Sequence, residues 1–137
     1  MLIAITDWRE YLKDGKLYLQ TALGAAERRS DVFTPEILYN IVAMSIEKLI
    51  MGFLMSRGDL AENHTMGDLL RALEKHAEVP AILSRDLLYL DSFQEICDLD
   101  TYNRRPPTQE ETIRILAIGR EMEAFINANL QQRHPAA

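Results

Sequence analysis

Apolar residues recur at three- and four-residue steps along almost the whole chain, and that period restricts it to helices. In the first stretch Trp8, Tyr11, Leu12, Gly15, Leu19, Ala22, Leu23 and Ala26 share one stripe. Glu10, Lys13, Asp14, Lys16, Gln20 and Glu27 fall largely off it, and Arg28-Arg29-Ser30-Asp31 closes the segment. The second stretch opens with Thr34-Pro35-Glu36, where Thr34 can cap free N–H groups and Pro35 suits the first helical position. Ile37, Leu38, Ile41, Val42, Leu49, Phe53 and Leu54 form its face, and Ile46, Ile50, Met51 and Met55 widen that face beyond a normal stripe. So apolar a helix is central in a bundle or buried on two sides. Gly58 is placed to end it as a left-handed residue.

Three further helices follow by the same reasoning. Thr65-Met-Gly-Asp68 reads as a variant capping box ahead of a stripe of Met66, Leu69, Leu70, Leu73 and Ala77. Pro80 can begin a fourth helix lined by Leu83, Leu87, Leu90, Phe93 or Gln94, and Cys97. Residues 98–107 form the longest irregular stretch, since its two prolines forbid a continuing helix. Thr108-Gln-Glu-Glu111 is a capping box for a last helix carrying Ile113, Leu116, Ala117, Met122, Phe125, Ile126 and Leu130. No segment alternates with β-branched enrichment. The expected fold is all-α: an antiparallel up-and-down bundle of about five helices, one domain over residues 1–130, then a polar tail over 131–137.

Charge and cysteine usage narrow the function. Lys and Arg number 15 against 21 Asp and Glu, a formal net charge of −6, so no broad nucleic-acid-binding face is expected. The single cysteine, Cys97, allows no internal disulfide, and on its helix stripe it reads as a small core residue. The apolar start is too short for a signal peptide, and the apolar run over 41–55 is broken by Ser45, Glu47, Lys48 and Gly52. A cytoplasmic protein with no membrane association is expected. The six glycines are isolated, which excludes a phosphate-binding glycine loop. Neither a Glu-x-x-His pair nor a His-Glu-x-x-His helix occurs, so no metal site, cofactor or catalytic constellation is expected.

Three segments resemble the HEPN family, the higher eukaryotes and prokaryotes nucleotide-binding domain. Ser45-Ile46-Glu47-Lys48-Leu49-Ile50 and the apolar run after it are similar to the family's second-helix pattern, an Ala-x-Glu-Lys core. His64-Thr65-Met66-Gly67-Asp68-Leu69-Leu70 looks like the His-x-Leu-x-x-Leu-Leu start of the family's third helix. Tyr102-Asn103-Arg104-Arg105-Pro106 looks like its Tyr…Arg-Tyr-Pro loop, with Arg105 in the tyrosine place and shorter spacing from Tyr102. The resemblance spans residues 39–130 and implies a helical bundle and a homodimer. The over-wide face of the second helix is consistent with such a dimer. Members of that family take several roles, among them ribonucleases of toxin–antitoxin and antiviral systems and partners of a small nucleotidyltransferase, and the resemblance implies a role of that kind.

The ribonuclease form carries Arg, four to six residues, then His near a late helix. Here Pro-Pro-Thr-Gln-Glu-Glu follows Arg105, with no histidine. Arg57 with His64, and Arg71 with His76, meet the spacing in the wrong region. The expectation is therefore a non-catalytic, homodimeric binding module for a nucleotide or a partner such as a small nucleotidyltransferase. A ribonuclease using His64 with Arg104 or Arg105, and a purely structural adaptor, are the alternatives.

The candidate ligand-binding residues are Glu47, Lys48, His64, Tyr102, Arg104 and Arg105. Glu47 and Lys48 are either a rim pair, with the Lys48 stem over the core, or the lining of an interhelical groove. His64 either satisfies backbone groups or faces that groove. Arg104 and Arg105 are solvated loop charge or a phosphate fork, and Tyr102 could stack on a base.

Overall fold

The computed structural model describes residues 7–29, 31–93 and 106–132, and these form an all-α bundle. Its five helices are α1 (Trp8–Arg28), α2 (Pro35–Ser56), α3 (Met66–Glu74), α4 (Ala81–Asp91) and α5 (Gln109–Gln131). The boundaries follow local chemistry. Thr34 Oγ1 accepts from the Ile37 N–H at 3.3 Å, with Pro35 as the first residue of α2. Thr108 Oγ1 accepts from the Glu111 N–H at 3.1 Å while the Glu111 carboxylate accepts from the Thr108 N–H at 2.9 Å, a complete capping box. Gly58, at φ 77°, ends α2 in a Schellman turn: its N–H reaches Met55 O and the Asp59 N–H reaches Leu54 O, both at 2.9 Å.

The start of α3 differs from the expected box. Thr65 Oγ1 accepts from the Asp68 N–H at 3.0 Å but donates to Asp68 Oδ2 at 2.7 Å, so that carboxylate does not turn back to the Thr65 backbone. The two donors ahead of it, the N–H groups of Met66 and Gly67, instead donate to Asp91 Oδ1 and Oδ2, each at 2.9 Å. A carboxylate from the end of α4 thus caps α3, bidentate and against the positive end of its dipole.

Helix α2 is the hub: it packs against α1, α5 and α3. Thirteen of its residues are buried, among them Tyr39, Val42, Ile46, Leu49, Ile50, Phe53 and Leu54. Each such large side chain contributes about 1.5–3 kcal/mol by leaving water. The wide apolar face is therefore consumed within one chain and gives no separate support to a second copy.

Helices α1 and α2 approach closely through a reciprocal pair of glycines. A Cβ on Gly15 would lie 2.8 Å from Leu49 Cγ and 3.0 Å from the Ser45 carbonyl oxygen. One on Gly52 would lie 2.8 Å from Leu12 Cγ and 3.0 Å from the Trp8 carbonyl oxygen. The buried Ser45 hydroxyl donates to Gly15 O at 2.6 Å, a bond that only this approach permits.

The other end of α2 fixes α4. The buried Tyr39 hydroxyl donates to Leu90 O at 2.7 Å, and its ring lies 5.3 Å from that of Phe93, which meets Tyr89 edge-on at 5.2 Å. Arg114 of α5 then covers the Tyr89 ring at 3.6 Å and reaches Asp86 at 3.4 Å.

Several expectations need correction. Ile37 and Ile113 are exposed, because the three-way packing of α2 and α5 leaves their outer faces uncovered. Helix α4 ends at Asp91, where the Ser92 hydroxyl donates back to Tyr89 O at 2.6 Å and competes with the helical ladder. Cys97 lies outside the described residues, as does the tail beyond residue 132.

Helix α2 is long and apolar enough to cross a membrane by length and composition, but 67% of its most apolar window is buried inside the bundle. It is a core helix of this fold.

Candidate functional site at the α2–α3 junction

The adjacent residues Glu47 and Lys48 leave α2 in different directions, since successive helical positions are about 100° apart. Glu47 points to the loop before α3, where its Oε1 accepts from His64 Nδ1 at 3.2 Å. Lys48 points to α1, with its ammonium 4.4 Å from the centre of the Tyr11 ring. The groove-lining pair thus divides. Glu47 joins His64, while Lys48 ties α2 to α1 over a half-buried aromatic ring.

The Glu47–His64 pair is open to water, with the His64 side chain 45% and the Glu47 side chain 39% exposed. His64 sits one residue before Thr65, the cap of α3, so its position follows from the rigid start of that helix. With Nδ1 held by the carboxylate, Nε2 makes no hydrogen bond among the described residues. A carboxylate–imidazole pair orients one histidine tautomer and can accept a proton or donate a hydrogen bond. Among the described residues no serine, threonine or cysteine hydroxyl or thiol is bonded to this imidazole.

The remaining basic residues of the region have separate partners. Arg57 donates to the Asn129 and Gln132 carbonyl oxygens at 2.8 and 3.2 Å, closing the end of α5, and lies over the Phe53 ring. Arg71 pairs with Asp68, three residues back on α3. His76 Nε2 donates to Asp59 Oδ2 at 2.7 Å, tying the end of α3 to the loop after α2. Neither Arg57 with His64 nor Arg71 with His76 therefore forms a bonded Arg/His site.

Both carboxylates in these ties are held below the ordinary range. The His76 hydrogen bond is the main cause at Asp59, followed by the Leu60 N–H. At Asp68 the Thr65 hydroxyl comes first and Arg71 second.

Tyr102, Arg104 and Arg105 lie outside the described residues. Among the described residues no group of three or more His, Cys, Asp or Glu side chains is arranged to hold a metal ion. Sequence reasoning missed Asp91 as the cap of α3, since nothing local marks a partner 24 and 25 residues away. It also passed over a basic stripe on α1, which the spacing of Arg9, Lys13 and Lys16 does mark.

The chain matches no family model and no curated protein. Its fold is similar to the crystal structure of TT1696 from Thermus thermophilus, with a TM-score of 0.73 over 90% of this chain and 98% of that one. The two sequences are 20% identical, so the likeness shows a shared helical fold and no more.

Proposed function

We propose that the chain is a HEPN-type binding module without catalytic activity, working as a homodimer and taking a nucleotide at the α2–α3 junction. The observation that supports this most is the meeting of two separate segments that resemble the family. Glu47 from the first and His64 from the second touch at 3.2 Å on an exposed surface. A rigid helix and a capped helix start hold the pair, and its free imidazole nitrogen suits a ribose hydroxyl or a base edge. Lys48, on the neighbouring turn position, would supply a cation for phosphate if it left the Tyr11 ring. A small nucleotidyltransferase, as in toxin–antitoxin arrangements, is the partner protein this reading names.

Thermal unfolding with a panel of nucleoside mono- and triphosphates tests it. A ligand at about a hundred times its dissociation constant adds roughly 2.7 kcal/mol, a readable shift. The shift is expected in the native chain and lost in His64→Ala and Glu47→Gln. No shift with any nucleotide refutes the nucleotide reading. Cleavage of labelled RNA that disappears in His64→Ala would replace it with the ribonuclease one.

A further inference from the structure

Helix α1 carries a line of cations that no ion pair among the described residues takes up. Arg9, Lys13 and Lys16 follow at four- and three-residue steps, so they share one stripe about 10 Å long at 1.5 Å per residue. Asp7, Glu10 and Asp14 fall away from that stripe on the helical period. Among the described residues none of the three cations enters an ion pair, and the Arg9 guanidinium rests 4.3 Å over the Trp8 ring. Arg9, in the first turn, also opposes the helix dipole, which favours acidic residues there. Leu17, 50% exposed, lines an open groove of about 400 Å³ beside the three cations, and the buried Leu12 lies beneath it.

We infer that this stripe docks an acidic amphipathic segment of a partner protein. Its carboxylates would meet Arg9, Lys13 and Lys16, and an apolar side chain beside them would settle on Leu17. Charge complementarity carries the inference, and the floor decides among polyanions. Single-stranded nucleic acid gains its affinity from bases stacked on aromatic rings, and the lining of this groove holds no aromatic ring, only the exposed Leu17 as an apolar surface. A membrane surface would meet one apolar residue and a net acidic protein. A helix with acidic and apolar residues on one face matches both the charge and the floor. The site is separate from the Glu47–His64 pair and does not depend on it.

The test is fluorescence anisotropy with a short labelled peptide bearing Glu and Leu at three- and four-residue steps. A peptide with Lys in place of Glu, a labelled oligouridine and phosphatidylcholine–phosphatidylserine vesicles serve as the other arms. The acidic peptide is expected to bind the native chain, more weakly as salt is raised. Lys13→Glu/Lys16→Glu should weaken it about tenfold or more and bind the Lys peptide instead. Lys13→Gln/Lys16→Gln should weaken it without that reversal, which guards against a charge-reversed variant that misfolds. No binding of the acidic peptide, binding unchanged in both variants, or tighter binding of oligouridine or vesicles overturns the proposal. Self-association in sedimentation that the double variants abolish would overturn it in favour of a second copy of the chain.

Discussion

Asp91→Ala should destabilise the bundle far more than its place at the end of a short helix suggests. The Asp91 carboxylate accepts the Met66 and Gly67 N–H groups at 2.9 Å each, and both of those residues are buried. Removing it orphans two donors that water reaches poorly. A lost helix cap costs about 0.5–2 kcal/mol, and a buried donor left unsatisfied costs about 1–3 kcal/mol. Loss of the negative charge at the helix start adds about 0.3–1 kcal/mol. These terms overlap, because the cap and the donors are the same bonds, so the expected total is about 2–3 kcal/mol. Asp91→Asn keeps one acceptor and should cost about half as much. Urea unfolding followed by far-ultraviolet circular dichroism measures both, and the total for alanine corresponds to a fall in Tm of roughly 10 °C. An Asp91→Ala change below about 0.5 kcal/mol, the range of an ordinary surface substitution, would refute the reasoning.

Other perturbations separate the parts of the fold. Gly24 and Gly52 both lie inside helices, and alanine should act on them in opposite directions. At Gly24, where an added Cβ meets nothing within 4 Å, stability should rise by about 0.5–1 kcal/mol. At Gly52 the clash with Leu12 and the Trp8 carbonyl should outweigh that gain and cost about 1–2 kcal/mol; equal effects in thermal melts would contradict the interlocked α1–α2 contact. Tyr39→Phe should lose about 1 kcal/mol through the lost bond to the Leu90 carbonyl, which keeps the Phe93 N–H at 3.3 Å, read by urea titration against the native chain. For Asp59, whose folded pKa lies below its ordinary value of 3.8, the stabilising bond is fully present above that value and is lost as pH falls through the lower folded one. Asp59→Asn should therefore cost stability at pH 7, by about 0.2–1 kcal/mol for a half-exposed pair, and the gap from the native chain should close below about pH 4. A gap that stays constant down to about pH 3 would show that the ionised carboxylate is not the stabilising species.

The fold class could be read from the sequence because its signals are local. Thr34-Pro35, the Thr108–Glu111 box and Gly58 act within a few residues of themselves, and each behaves as its chemistry dictates. The central place of α2 followed from its excess of apolar residues, but that excess could not say what covers it. One chain's own α1, α3 and α5 do so, and the width of the face cannot serve as an argument for a dimer. The details that went unread depend on distant partners. Asp91 gains its meaning from the start of α3, Ser45 from Gly15, and Tyr39 from the end of α4. Ile37 and Ile113 fit an apolar stripe by spacing, yet packing leaves them outside.

At the candidate site the same division holds. Glu47 and His64 were singled out separately, and only the tertiary fold brings them within 3.2 Å. Lys48 was paired with Glu47 by adjacency along the chain, whereas the helix turns it to Tyr11 on another element. Adjacency in sequence is therefore a poor guide to a shared site on a helix, where neighbours point about 100° apart.

The most direct measurement is an amide-resolved NMR titration of the native chain with a nucleoside triphosphate. The proposed function predicts saturable shifts concentrated at Glu47, Lys48, His64 and Thr65 and absent in His64→Ala. Shifts confined to α1, or none at concentrations up to millimolar, would contradict a nucleotide site at the α2–α3 junction.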